Sequence, residues 1–297
     1  MTTCATLTAR LGDISFLNCA PIRWGLADSG AARQAELVSA PPERLAGELL
    51  SGGLDISPVS LVRYLRHADD LCLLPGIAIG SDGPVRSCHI VSRGPLDDLD
   101  GRVVALSAAS RSTTALARTL LEDAVGVRPV YRSVPQDRQD GSGIPAGAAA
   151  AVLIGDDALR LYADPPRGVT VHDTGALWRE WTGLPMVFAV WAVRRRFAEA
   201  CPDAVREAGA ALTDAVARAR SHPVEVAAAA ARESGRGGAA PLGPAVLLDY
   251  YRALDYSLGD RQLAAIQEFA LRAAGRAGTP LHPLHPSVRL PAPGGRT

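Results

Sequence analysis

Two successive series of short apolar runs, each run separated from the next by an amphipathic or turn-rich segment, constrain this chain more than any other feature of its sequence. In the first series Arg10 to Phe16, Ala35 to Ser39, Leu54 to Pro58, Cys72 to Ile79 and Ser87 to Ser92 read as strands, and Pro42 to Ser51 and Val59 to His67 as helices. That order implies a mainly parallel sheet covered by helices, with ligands at the carboxyl ends of its strands. In the second series Val103 to Leu106, Pro129 to Ser133, Ala150 to Ile154 and Val169 to His172 read as strands, and Ser112 to Ala124, Asp157 to Tyr162 and Ala176 to Thr182 as helices. A last strand, Val187 to Val193, leads into a helical final third that includes Ala204 to Ala219, Ala245 to Asp255 and Asp260 to Ala274. Pro244 precedes the second of these, where a helix start tolerates it. Gln136 to Gly147 and the tail from Thr279 to Thr297 carry the composition of loops or disorder.

Composition narrows the function classes. A chain of 297 residues, 47% hydrophobic, can fill two medium cores, which fits two lobes. Lys plus Arg and Asp plus Glu balance at 31 each, so no strong field draws in nucleic acid or an anionic membrane. Arg10, Asp13 and Asn18 break up the early sequence, which has no secretory leader pattern, and the expected location is the cytoplasm. No apolar run reaches the roughly 20 residues that span a bilayer. The five cysteines contain no CxxC pair and disulfides are not expected. The histidines are scattered without metal-ligand spacing, so no metal site is expected.

Five segments carry polar groups at strand-to-helix junctions or strand starts. In residues 14–25, Asn18 follows a strand and precedes Pro21; it is either a helix N-cap or an amide at a cleft mouth, able to donate and accept. In residues 80–92 a Gly/Pro turn feeds a strand whose alternation puts Ser87 and His89 on one face; His89 reads as structural. Residues 104–121 bring Ser107, Ser110, Ser112, Thr113 and Thr114 to the start of an amphipathic helix. Such a cluster either caps the helix or binds a carboxylate, with Arg111 as a possible clamp. In residues 153–159 Gly155 follows a strand, and Asp156 reads first as the cap of the next helix and second as a general base. Ser57 stands at the carboxyl end of a strand before Pro58, and Trp178 and Trp181 read as core.

The order and spacing of these segments resemble the chorismate dehydratase family of the futalosine route to menaquinone. The matching features are Leu17-Asn18, the Gly-Pro-Val-x-Ser turn from Gly83 to Ser87, the Ser/Thr-rich helix start, Ile154-Gly155-Asp156-x-Ala-Leu, and Trp178 followed by Thr182-Gly183-Leu184-Pro185. The likeness spans roughly residues 10 to 275, with Ser112-Thr113 standing where Thr then Ser is expected. It implies an α/β, two-lobed fold of the periplasmic-binding-protein type II class, with the ligand cleft between lobes. One lobe would hold residues 1–94 and 195–297, the other residues 95–194. The implied reaction is loss of water from chorismate to give 3-[(1-carboxyvinyl)oxy]benzoate, by a monomer or homodimer that needs no cofactor because the ring aromatises as water leaves.

Within that resemblance Asn18 and Ser87 are the expected catalytic residues. Ser57, Ser107, Ser110, Arg111, Ser112, Thr113, Gly155 and Asp156 are expected to bind the dicarboxylate substrate. Neither Asn18 nor Ser87 is a base at neutral pH, so the substrate's own enolpyruvyl carboxylate is the expected proton acceptor. Two rivals remain. A 1,4-dihydroxy-6-naphthoate synthase shares the fold, but its expected second-lobe histidine is missing, since no histidine lies between His89 and His172. A small-anion solute-binding protein would need export, and a transcription-factor effector domain would need an attached helix-turn-helix.

Overall fold

The computed structural model describes residues 9–33, 36–107, 111–134, 143–235 and 240–276. Among the described residues ten strands form two five-stranded mixed sheets, each flanked by helices. The first contains β1 (Arg10–Ile14), β2 (Glu36–Ala40), β3 (Ile56–Ser60), β4 (Leu71–Ser81) and β10 (Met186–Arg194), in the order β2-β1-β3-β10-β4. The second contains β5 (Cys88–Ser92), β6 (Val103–Ser107), β7 (Val130–Val134), β8 (Ala150–Ile154) and β9 (Thr170–Asp173), in the order β7-β6-β8-β5-β9.

Each sheet has a parallel half, β2-β1-β3 in one and β7-β6-β8 in the other. Each also has an antiparallel strand next to that half, β10 against β3 and β5 against β8. The expectation of mainly parallel sheets therefore holds only for the βαβ halves. Antiparallel order arises where the chain passes between sheets, because β5 and β10 enter their sheets from the other one. By sheet membership the chain crosses between β4 and β5 and returns between β9 and β10, whereas the expected lobe boundaries fall just after β5 and at the end of β10.

The helices that matter for the cleft follow parallel strands. α1 (Ala20–Asp28) follows β1, α2 (Pro42–Ser51) follows β2, and α3 (Leu61–Arg66) follows β3. In the second half α4 (Arg111–Thr119), extended by a π-helical stretch to Val125, follows β6, and α5 (Gly155–Ala163) follows β8. β3 runs past Pro58, which sequence reading placed at a strand end. Only Leu11 and Ile56 pair between β1 and β3, so the missing Pro58 N–H costs that ladder nothing.

α6 (Thr174–Thr182) lies in the return crossing, and its Trp178 is fully buried with Nε1 donating to Pro185 O at 3.1 Å. The C-terminal third adds α7 (Arg195–Ala200), α8 (Pro202–Ser221), α9 (Pro223–Ser234), α10 (Pro244–Ala253) and α11 (Asp260–Arg272). Their apolar faces join the main core with the first sheet; Leu247 and Phe269 are fully buried there. Two smaller cores flank the second sheet.

One sequence expectation is overturned: Cys201 is disulfide-bonded, while Cys19, Cys72 and Cys88 are free and buried. The proposed loop over Gln136 to Gly147 lies outside the described residues up to 142, and the tail from Thr279 lies wholly outside them. No helix among the described residues is long and apolar enough to cross a membrane.

Candidate active site

A cavity of about 90 Å³ lies where the carboxyl ends of the parallel strands of both sheets converge. From the first sheet it takes Ile14 at the end of β1 with Phe16 and Asn18 beyond it, Pro42, Glu43 and Ala46 in the first half of α2, Ser60 at the end of β3 and Arg63 in α3. From the second it takes Thr113 in the first turn of α4, Ile154 at the end of β8, Gly155 at the start of α5 and Cys88 at the start of β5, with Ser87 from the crossing segment. Phe188 and Ala189 of β10 complete the wall.

Asn18 sits in a single 3-10 turn, Leu17–Cys19, between β1 and α1. Its backbone carbonyl accepts the Tyr256 hydroxyl at 2.7 Å, but its buried Oδ1 has no hydrogen-bond partner. Asn18 is therefore not a helix cap: the N-cap position of α1 is Cys19, without a side-chain bond. A buried amide oxygen without a donor costs about 1–3 kcal/mol.

Ser87 is set by a constrained turn. Gly83 has φ +124° and Arg86 has φ +62°, a left-handed conformation that few non-glycine residues adopt. Asp173 holds the turn by accepting the Val85 and Arg86 N–H groups, at 3.0 and 2.6 Å, while also capping α6 through the Gly175 and Ala176 N–H groups. The buried Tyr250 hydroxyl of α10 then donates to Ser87 Oγ at 3.0 Å. Next along the wall, Thr113 Oγ1 donates to Cys88 Sγ at 3.6 Å, and burial pushes the Cys88 thiol up to about 12, so it stays protonated.

Gly155 lines the cavity with φ +70°, and its N–H donates to Ser87 O at 2.8 Å. Asp156 does not cap its own helix. Its Oδ1 accepts the Leu17 N–H at 3.1 Å, across from the other sheet, and it lines a separate 740 Å³ pocket shared with Arg23, Arg160 and Glu233. Burial raises the Asp156 carboxyl above its ordinary value.

The remaining expected residues divide. Ser112 is buried, and its Oγ accepts the Val62 N–H of α3 at 2.9 Å; it fastens one helix start to another and does not line the cavity. Ser57 is fully buried within β3, where its Oγ donates to Pro58 O at 3.2 Å and a Cβ on Gly12 would collide with it. Neither lines the cavity. Ser107 ends β6, buried, with its carbonyl accepting the Thr114 hydroxyl at 3.2 Å. Arg111 is exposed at the first position of α4, and Ser110 lies outside the described residues.

Sequence reasoning missed Phe16, Glu43, Ser60 and Arg63. The junction argument that found Asn18 applies equally to Glu43 and Ser60, which follow β2 and end β3. Arg63 pairs with Glu43, and its Nε is buried without a partner. Burial, and then repulsion from Arg111 and Arg63, lowers the Arg66 guanidinium below its ordinary value. Tyr250 was also missed, being brought to Ser87 only by the folding of the C-terminal third. No histidine among the described residues lines the cavity. His89 is fully buried with Nε2 bonded to Arg86 O at 2.9 Å, and its ring stacks on Tyr162.

The sequence profile of the menaquinone biosynthesis family matches residues 9–275. A chorismate dehydratase of Thermus thermophilus is 33% identical over 276 residues, covering 88% of this chain and 93% of that protein. A 1,4-dihydroxy-6-naphthoate synthase of the same organism is 32% identical over 180 residues, covering 59% of this chain and 60% of that protein. Among solved structures, a protein of Archaeoglobus fulgidus superposes with a TM-score of 0.69 at 20% identity, covering 90% of this chain and 96% of its own. The alkanesulfonate-binding protein of Xanthomonas axonopodis, bound to MOPS, superposes with a TM-score of 0.67 at 18% identity over 97% of both chains. These structures share the two-lobed periplasmic-binding-protein fold with this chain.

Proposed function

Because the chain belongs to the menaquinone biosynthesis family, we propose that it is a hydro-lyase that dehydrates chorismate to 3-[(1-carboxyvinyl)oxy]benzoate in the cytoplasm. The observation that carries this reading is the near-complete match to a chorismate dehydratase, whereas the match to the naphthoate synthase stops at 59% of the chain. The cavity's chemistry agrees with a dianionic substrate. Arg63 supplies positive charge, and Asn18, Ser87 and Thr113 supply neutral hydrogen-bonding groups.

The two lobes of this reading are the two sheets with their helices. Several bonds join them, from Asp156 to Leu17, Ser112 to Val62, Ser87 to Tyr250 and Arg160 to Ser234. The 90 Å³ cavity is that of a closed cleft, since ligand pockets begin near about 300 Å³. Substrate therefore binds with the lobes parted, and closure removes water from around it.

Dehydration removes the C3 proton and expels the C4 hydroxyl as water. In this account the enolpyruvyl carboxylate of chorismate takes the proton, and the Asn18 amide and Ser87 hydroxyl hold that side chain over C3. Glu43 is the only carboxylate on the cavity wall among the described residues, and it is engaged in an ion pair with Arg63. Aromatisation drives the reaction, which calls for neither metal nor redox group. The test is to treat the protein with chelator, supply chorismate alone, and follow the aromatic enol ether by chromatography. Conversion is expected; bound but unchanged chorismate would place the protein with the anion-binding members of the fold.

A further inference from the structure

Asn18 and Ser87 come from opposite sides of the cleft, so something must set their spacing each time it closes. The geometry points to Asp156 as a positioning residue, a latch that fixes the Asn18 turn against the second sheet and so aligns Asn18 with Ser87. This inference rests on reading the cavity as the dehydration site. Asp156 was expected from sequence to bind substrate or act as a base, and the structure assigns it neither contact.

Three observations converge on it. First, the 3-10 turn that carries Asn18 has Phe16 at its N-cap position, a residue whose side chain cannot accept a hydrogen bond. The Leu17 N–H therefore needs an acceptor from elsewhere, and Asp156 Oδ1 supplies it at 3.1 Å from 139 residues away in the chain. Second, the residue before Asp156 is bonded to the other side of the site: the Gly155 N–H donates to Ser87 O at 2.8 Å. One dipeptide thus registers both proposed catalytic residues through backbone contacts. Third, Asp156 faces the 740 Å³ pocket and not the 90 Å³ cavity; Phe16, Ile154 and Gly155 line both and form the partition. A carboxylate on the far side of that wall acts on the Asn18 turn and not on substrate.

Closure and catalytic geometry are coupled by this contact. With the lobes apart the Leu17 N–H loses its acceptor, and the turn keeps only contacts within its own lobe: the Cys19 N–H and Arg23 guanidinium on Phe16 O, and the Tyr256 hydroxyl on Asn18 O. With the lobes together both ends are tied and the Asn18 amide is fixed in the cavity.

The latch separates from its rivals by substitution. Asp156→Asn keeps an acceptor oxygen at the same position, whereas Asp156→Ala removes it. The latch predicts that Asp156→Ala loses roughly tenfold to a hundredfold in kcat, with a smaller change in KM, because the substrate is still bound but misaligned. Asp156→Asn should retain kcat within about threefold, since an amide oxygen accepts the same bond. Amide exchange at Leu17 in the ligand-free protein gives a readout independent of the reaction. It should be slow in the wild type and Asp156→Asn and faster in Asp156→Ala. Loss of activity in Asp156→Asn equal to that in Asp156→Ala would overturn the latch in favour of a base. Equal exchange at Leu17 in the wild type and Asp156→Ala would overturn it whatever the substrate proves to be. A wild-type protein that leaves chorismate unchanged, yet shows the exchange pattern, would fault the proposed reaction and keep the latch.

Discussion

Replacing Arg63 by Gln tests whether the missed guanidinium is the cleft's carboxylate anchor. Arg63 lines the cavity beside Ser60, carries a buried Nε without a partner, and spends part of its donor fork on Glu43. A hydrogen bond to a charged group contributes about 1.5–3 kcal/mol, or roughly tenfold to 150-fold in binding. The Arg63 side chain is 21% exposed, so water screens part of this interaction and the lower end applies, a rise in KM of about tenfold to thirtyfold. The single variant has a flaw, because it strands the Glu43 carboxylate next to an anionic substrate. Arg63→Gln combined with Glu43→Gln removes both charges and isolates the lost substrate contact. Steady-state kinetics on chorismate should give a raised KM and nearly unchanged kcat in the double variant. Glu43→Gln alone should bind substrate as well as the wild type or better, since it frees Arg63. A wild-type KM in the double variant would refute the anchoring role. A collapse of kcat in Glu43→Gln would show instead that Glu43 is the base.

Two further outcomes follow from buried partners. Tyr250→Phe removes the donor to Ser87 Oγ and lets that hydroxyl rotate; kcat should fall by about twofold to tenfold with little change in KM, measured at saturating chorismate. Asp55 ties together the ends of β1, β3 and β10: burial alone would raise its carboxyl, but hydrogen bonds from Arg10 and Arg194 outweigh this and hold it below the ordinary carboxylate range. Its stabilisation is thus complete above the unfolded value of about 3.9 and is lost as pH falls below that toward the depressed folded value. Asp55→Asn should cost about 1–3 kcal/mol near neutral pH, the two arginines being partly solvated, and the difference from wild type in urea melts should shrink at low pH.

The elements were legible in the sequence because their periodicities are strong and their ends are marked. α2 has Pro42 at its start and Gly52, at φ +90°, at its end, so Pro42 to Ser51 was bounded on both sides. Ala150 to Ile154 is a continuous apolar run, buried on both faces as expected of an inner strand. The strand at residues 54–58 was placed two residues early because Pro58 looked like a terminator; it sits beyond the register where β1 pairs.

The site was legible in part, for a physical reason. Asn18, Ser87, Thr113 and Gly155 stand at junctions where short polar side chains interrupt apolar runs, and the chain brings them to one cavity. Ser112 and Ser57 carry the same local signal, but their hydroxyls bond to α3 and to β3 itself and neither lines the cavity, a placement that nothing in a single sequence reveals. Tyr250 and Asp156 act across 163 and 139 residues of chain, separations that only the closed topology reveals.

The most direct test of the account is kcat of Asn18→Asp at saturating chorismate. Asn18 Oδ1 is buried on the cavity wall without a partner, so a carboxylate there would face the enolpyruvyl carboxylate that the account makes the base. The two negative charges repel, the side chain leaves its position over C3, and kcat should fall by about a hundredfold or more although a new base has been supplied. Activity equal to or above the wild type would contradict substrate-assisted proton removal and show that a protein carboxylate at this position does the work.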